Sequence, residues 1–256
     1  MNVVMITGAA RNTGYQIARK FASEGYGVAI TSRSASDAAA AAQSLHDAYG
    51  VPVRGYALDL ADVADIDRVF DRVCRDFGRL DTFIPNSAHL GVGGDMLSVT
   101  EERYHEVMDI NLKGTFFCCR AAVRQMRTQA TGGAIVLLSS VHSKECIWGR
   151  SLYTASKGAL NALARSVAVE FGPDRIRANA IIAGAIRTER WDHLTEAQIA
   201  EKRKNWPIGR ESTGADIANA AYYLGTPLSG TVTGTELTVD SGVLVSLLPF
   251  NGGVRS

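Results

Sequence analysis

The sequence predicts an α/β fold: a single doubly wound domain whose mainly parallel, seven-stranded sheet is covered by helices on both faces. Three observations predict it. Short β-branched or apolar runs alternate with longer segments of helical periodicity, the pattern that builds right-handed βαβ units. Several runs, "VVMIT" and "GAIVLLSS" among them, are apolar at consecutive positions, as strands buried on both faces are. The first run leads at once into a glycine loop and a helical pattern, "TGAARNTG", which is the local context of a phosphate-binding turn.

In chain order, strands are expected at 3–7, 27–31, 52–58, 81–84, 133–140, 176–182 and 234–240. Helices are expected between them at 13–24, 35–49, 62–77, 101–128, 151–171 and 213–224. Asp62 and Thr213 stand where N-caps belong, and Gly50, Gly78 and Gly172 stand just past helix ends. The segment 189–210, with "HLTEAQIAEKRKNW", breaks the rhythm late in the fold and is expected to form a lid over a site.

The chain has 256 residues, 46% of them hydrophobic, enough for one sizeable core. A formal net charge of +1 gives no basic excess for nucleic acid or an anionic membrane surface. No apolar run is long enough to span a bilayer. "VVMIT" lacks a charged region before it and reads as a strand rather than a signal peptide. Cys74, Cys118, Cys119 and Cys146 form no metal-spaced cluster. No metal site is expected, and scattered thiols in a chain this long point to a cytoplasmic protein.

In an open α/β sheet, ligands bind beyond the carboxyl ends of the strands. Gly8 permits the tight turn there, and Gly14 permits close packing of helix on sheet. Backbone N–H groups at Thr13 and Gly14 would face a pyrophosphate at the helix start. Asn12 stands where a dinucleotide fingerprint has its middle glycine. Asparagine tolerates positive φ and is a strong N-cap, so Asn12 is expected to cap the helix while the loop still binds.

The segment "SSVHSKECIWGRSLYTASK" leaves the fifth strand and enters a long helix. It presents Ser140, then Tyr153 and Lys157 four residues apart on one helix face. A tyrosine with its ordinary pKa of about 10 is a poor base at neutral pH, and a nearby ammonium favours its phenolate. Ser140 can hold a substrate oxygen. The set suits proton transfer coupled to hydride transfer at a carbinol or carbonyl. Tyr-x-x-x-Lys alone is common by chance; its position after the fifth strand makes it specific.

Taken together, the chain resembles the short-chain dehydrogenase/reductase family over nearly its whole length. The motifs that carry the resemblance come in order: "TGAARNTG", "LDL" (58–60), "PNSA" (85–88), "NLKGTF" (111–116), "SS" (139–140), "YTASK" (153–157), "IRANAIIAGAIRT" (176–188) and "TGTELTVDSG" (233–242). The resemblance implies a Rossmann fold and a catalytic tetrad of Asn111, Ser140, Tyr153 and Lys157. Tyr153 would be the acid/base, Ser140 would polarise the substrate, and Lys157 would lower the tyrosine pKa and hold the ribose. Asn111 would hold a relay water. Asp59 and Leu60 would flank the adenine. Asn86, Ser87 and Ala88 would form the cofactor wall, and Gly184, Ile186 and Thr188 the nicotinamide side. Departures from the family pattern fall on the cofactor side: Asn12, Pro85 and Ala88, Ala183, and Ser241 within "DSG".

The second strand ends in Ser32 and Arg33, where an acidic residue would select NAD. Arg33, helped by Arg11, can pair with a 2′-phosphate, so NADP is favoured, with NAD as the alternative. A looser similarity to the glucose 1-dehydrogenase branch rests on "SSVH…W", "GAIRTE" and the tail "LLPFNGGVRS". It places His142, Trp148, Glu189 and Trp191 around a small hydroxy or keto substrate, beside Ser140 and Tyr153. His89 and Arg187 would add polarity. A sugar- or polyol-like substrate is expected. The competing readings are a 3-oxoacyl-[acyl-carrier-protein] reductase with a basic mouth at Arg124, Arg127, Arg150, Lys202 and Lys204, and a non-catalytic dinucleotide sensor. The resemblance also implies a homotetramer paired through the helices at 101–128 and 151–171, and the apolar tail 243–250 would need burial.

Overall fold

The computed structural model describes residues 1–91, 93–204 and 206–246. Seven strands form one sheet: β1 (Val3–Ile6), β2 (Gly27–Ser32), β3 (Val53–Ala57), β4 (Thr82–Ile84), β5 (Gly133–Ser140), β6 (Ile176–Ala183) and β7 (Glu236–Val239). Their order is β3-β2-β1-β4-β5-β6-β7, and every pairing is parallel. The expected "mainly parallel" sheet is therefore wholly parallel.

The two-residue period of the strands splits the core in two. Val4, Ile6, Val28, Ile30, Ile84, Val136 and Leu138 point to one face. There they pack against α1 (Asn12–Ser23), α2 (Ala35–Tyr49) and α8 (Gly214–Gly225) through Ile17, Phe21, Leu45 and Leu224. Met5, Ala29, Phe83, Ile135 and Leu137 point to the other face. They meet α3 (Val63–Phe77), α5 (Thr115–Met126) and α6 (Ser151–Phe171), with Phe70, Met126 and Leu160 among the partners. Consecutive apolar positions in the strands follow directly from this two-sided burial.

The expected caps form at both ends. Asp62 Oδ1 accepts the N–H of Ala64, and Thr213 and Asp216 make a reciprocal capping box at α8. Gly50 and Gly78 close α2 and α3 in the left-handed conformation. Gly172 does not; it enters a short 3₁₀ turn, and Arg175 takes the positive φ instead.

One expected helix is interrupted. The segment 101–128 divides into α4 (Glu101–Met108), a π-helical stretch at Asp109–Gly114, and α5. Such bulges recur at functional sites, and this one carries Asn111. The other excursion contains α7 (Glu196–Arg203). Of the apolar tail, residues 247–250 lie outside the described residues, and Val245 is exposed.

β1 is flanked by β2 on one side and β4 on the other, so the chain turns in opposite directions there and the loops after β1 and β4 part. That switch point is where a ligand cleft opens in this architecture.

Candidate active site

A cleft of about 670 Å³ opens at the carboxyl ends of the strands. Its floor is knitted from the loops after β1 and β4. Thr7 Oγ1 accepts the N–H groups of Asn86 at 3.0 Å and Ser87 at 3.1 Å. Asn86 Nδ2 donates back to the carbonyls of Thr7 at 3.0 Å and Gly8 at 3.1 Å. Gly8 has φ +62, and a Cβ there would sit 2.5 Å from Ser87 Oγ. A Cβ on Gly14 would lie 2.4 Å from the Gly8 carbonyl. Both positions require glycine for close approach.

Asn12 takes φ +51, the left-handed conformation that a glycine would otherwise supply. It does not cap the helix. Arg11 occupies the N-cap position of α1 and makes no side-chain cap hydrogen bond, and among the described residues no side chain accepts from the first turn. At positive φ, Asn12 is already the first helical residue and leaves the cap position to Arg11. The first-turn N–H groups of α1 consequently remain available to a ligand.

Two further departures, Pro85 and Ser241, are accommodated by backbone geometry. Pro85 lies just past β4, and its carbonyl accepts the N–H of Leu138, so its missing donor costs no ladder bond. Ser241 sits at φ +60, and the preceding Asp240 accepts the N–H groups of Gly242 and Leu244 at 2.8 Å each.

At the opposite wall, three successive residues at the end of β5 are tied to α6. Lys157 Nζ donates to the Leu138 carbonyl at 2.6 Å. Ser139 Oγ donates to the Lys157 carbonyl at 3.0 Å. The Ser140 carbonyl accepts from Ser143 Oγ at 2.6 Å, and Ser143 is in turn held by Asn161. Tyr153 and Lys157 share a helix face, with Lys157 Nζ 5.6 Å from the tyrosine ring centroid. Lys157 is buried, and burial pulls its pKa from 10.5 down to about 8.

Every residue assigned from sequence to the cofactor lines this one cleft, from Gly8 through Arg11, Asp59 and Asn86 to Thr188. Ser140, Tyr153, Glu189 and Trp191 line it too. Four assigned residues do not, and one of them, Arg187, is instead ion-paired with the buried Glu211. Asn111 is buried behind the wall, where Oδ1 accepts the His89 N–H at 2.7 Å and Nδ2 donates to the His89 carbonyl and to Ser156 Oγ. Its side chain is fully engaged in bracing the loop after β4 against α6. His142 lies beside the cleft, its ring centroid 6.0 Å from that of Tyr153. Trp148 is 82% exposed and points elsewhere.

His89, expected to add polarity, does line the cleft, and sequence reading missed Asp37, which lines it as well. It also missed Trp206, a buried residue whose ring lies 5.8 Å from Trp191. Asp37 could have been found from its place three residues after the α2 N-cap Ser34; nothing in the sequence pairs Trp206 with Trp191.

The cleft fits a dinucleotide. Gly8 and Gly14 leave no room for side chains where the turn approaches, and the start of α1 and the buried Lys157 ammonium face the same space. A family model described as Enoyl-(Acyl carrier protein) reductase matches residues 8–244. The chain is 33% identical to galactitol 2-dehydrogenase from Agrobacterium fabrum, covering 94% of this chain and 96% of that one. The chain belongs to the short-chain dehydrogenase/reductase family. Another relative in the family is an L-rhamnose 1-dehydrogenase (NAD(P)(+)) from Azotobacter vinelandii, 31% identical over 95% of this chain and 97% of that one. Among solved structures, a gluconate 5-dehydrogenase from Burkholderia cenocepacia in complex with NADP and tartrate superposes with a TM-score of 0.89 at 27% identity, covering 96% of both chains. As a short-chain dehydrogenase/reductase the protein is an oxidoreductase of CH–OH groups that uses a nicotinamide dinucleotide. Among the described residues no helix is long and apolar enough to cross a membrane, and no cluster of ligating side chains could hold a metal.

Proposed function

We propose that the protein is an NADP(H)-preferring enzyme that interconverts an alcohol and a carbonyl on a small, polar, sugar- or polyol-like substrate. The observation that carries this reading is the polarity of the two ends of the cleft. At one end Arg11 and Arg33 line it, and neither has an ion-pair partner among the described residues. Two unpaired guanidiniums suit a 2′-phosphate. At the other end His89, Glu189 and Trp191 surround the approach to Ser140 and Tyr153, giving hydrogen-bonding groups and one aromatic face.

Bound nicotinamide supplies or takes up the hydride. The chain's own residues handle the proton. Ser140 Oγ holds the substrate oxygen, and Tyr153 donates a proton to it in reduction or takes one in oxidation. Lys157, four residues along the same face, stabilises the phenolate with its ammonium and also reaches the ribose. Asn111 keeps the loop bearing His89 against α6. The segment 189–210 serves as a lid, with Trp191 as its inner surface. Subunits pair through α5 and α6, which expose Phe116 and Val169, into a homotetramer in the cytoplasm.

Of the five basic residues named for a carrier protein, Lys202 alone has a side chain with no ion-pair or hydrogen-bond partner among the described residues. Arg124 is paired with Asp71, Arg127 with Asp174, and Lys204 with Glu201, while Arg150 is held by the carbonyls of Leu90 and Gly91. A panel of aldoses, polyols and 3-oxoacyl thioesters run with NADP(H) and NAD(H) tests the proposal. It expects the highest kcat/KM with a polyol or aldose and NADP(H). Faster turnover of 3-oxoacyl thioesters, or a preference for NAD(H), would overturn it.

A further inference from the structure

We infer that Asn161 and Ser143 are positioning residues for Ser140, an inference that rests on Ser140 being the group that holds the substrate oxygen. Asn161 lies one turn beyond Lys157 and two beyond Tyr153, on the same stripe of α6. Its Nδ2 donates to Ser143 Oγ at 3.0 Å. Ser143 Oγ then donates to the Ser140 carbonyl at 2.6 Å. The chain of bonds runs from the helix that carries the acid/base tyrosine to the main chain of the serine opposite it. Between them lies a short 3₁₀ turn, Val141–Ser143, whose His142 N–H donates to Ser140 Oγ at 3.2 Å. The same turn sets the His142 ring against Tyr153. With both the carbonyl and the hydroxyl of Ser140 held by this turn, the placement of Ser140 depends on how the turn is anchored.

The character of Asn161 argues that stability is not why it is there. It is 4% exposed in the interior of a helix, where asparagine is a poor former. A buried amide is costly unless all its groups are bonded. Here Oδ1 has no partner among the described residues. A leucine has nearly the same shape and would remove that unsatisfied acceptor. An amide retained at such a position is explained by what its Nδ2 holds. The other two ties between β5 and α6, at Leu138 and Ser139, use Lys157 itself. The Ser140 tie runs instead through two side chains, Asn161 and Ser143, neither of which belongs to the tetrad.

The test compares Asn161→Leu, Ser143→Ala and Ser143→Thr in the wild-type and Ser140→Ala backgrounds. Turnover is read with the fastest substrate of the panel above and, independently of it, with 2,3-butanedione and NADPH. Asn161→Leu and Ser143→Ala are expected to lower kcat about tenfold, with NADPH affinity within twofold of wild type. Asn161→Leu is expected to unfold at the same temperature as wild type or higher. Ser143→Thr, which keeps the hydroxyl, is expected to restore most of the rate. In the Ser140→Ala background neither change should lower the rate further. Full activity in Asn161→Leu and Ser143→Ala, while Ser140→Ala is inactive, would overturn the inference and leave the role of Ser140 standing. An active Ser140→Ala enzyme would overturn the role of Ser140 itself. A loss of rate that adds fully to Ser140→Ala would show a general packing effect and also overturn the inference.

Discussion

Replacing Lys157 with methionine should make the cofactor-free protein no less stable at neutral pH while disabling it. The ammonium is buried, and burial pulls its pKa from 10.5 to about 8. That fall corresponds to roughly 3 kcal/mol held against the charged form in the folded state. The folded pKa lies below the unfolded one. The penalty is therefore present in full below about pH 8, shrinks as pH rises, and is gone above 10.5. Methionine keeps the stem and removes the charge, but it leaves the Leu138 carbonyl, now bonded at 2.6 Å, without a donor, which costs about 1–3 kcal/mol. The net expectation at pH 7 is a gain of up to about 1–2 kcal/mol. Between pH 7 and about pH 9.5 the difference should move by about 2 kcal/mol in favour of the wild type. Urea unfolding of both cofactor-free proteins at the two pH values measures this. A stability gap that does not change with pH would refute the reasoning, because it would mean that the buried amine carries no charge penalty.

Other outcomes follow from the same geometry. Asn12→Ala should cost about 1 kcal/mol at φ +51 and weaken cofactor binding, whereas Asn12→Gly should stay within about 0.5 kcal/mol; thermal unfolding and cofactor titration measure both. Arg33→Asp should raise the KM for NADPH at least tenfold with little effect on NADH, and equal KM values before and after would remove Arg33 from the 2′-phosphate site. Glu211 is 4% exposed. Hydrogen bonds from Arg203 first and Arg187 after it hold its pKa down, to about 2. Its stabilisation should be complete above pH 4.5 and fade as pH falls toward 2. Glu211→Gln should destabilise by about 1–2 kcal/mol and raise substrate KM several-fold, because Arg203 anchors α7 near the Trp206–Trp191 pair.

The parts of this molecule that were legible in its sequence are those dictated by local chemistry. Strands buried on both faces must be apolar at consecutive positions, so "VVMIT" and "GAIVLLSS" identified β1 and β5 and with them the two halves of the cleft. Gly8 and Gly14 were legible because a tight turn at a switch point needs glycine, whereas Asn86 came only from the resemblance of "PNSA" to a family motif; all three line the cleft. Side-chain contacts between distant segments were not legible. The π-helical stretch that turns Asn111 toward His89 has no local signature within the helical pattern of 101–128. Trp148 resembled a platform for a sugar, yet the loop after β5 turns it outward and leaves Trp191 to line the cleft with Trp206 behind it. Asn12 showed both outcomes in one residue. Its tolerance of positive φ is used, and its capping ability is not, because the turn that needs the left-handed conformation moves the cap position to Arg11.

The most direct measurement is turnover by Tyr153→Phe beside a fluorescence titration of its NADPH binding. If Tyr153 is the acid/base of an alcohol–carbonyl oxidoreductase, removing one oxygen atom should lower kcat by at least about 10³ while the NADPH Kd stays within a few-fold of wild type. Turnover close to wild type in that variant would contradict the account.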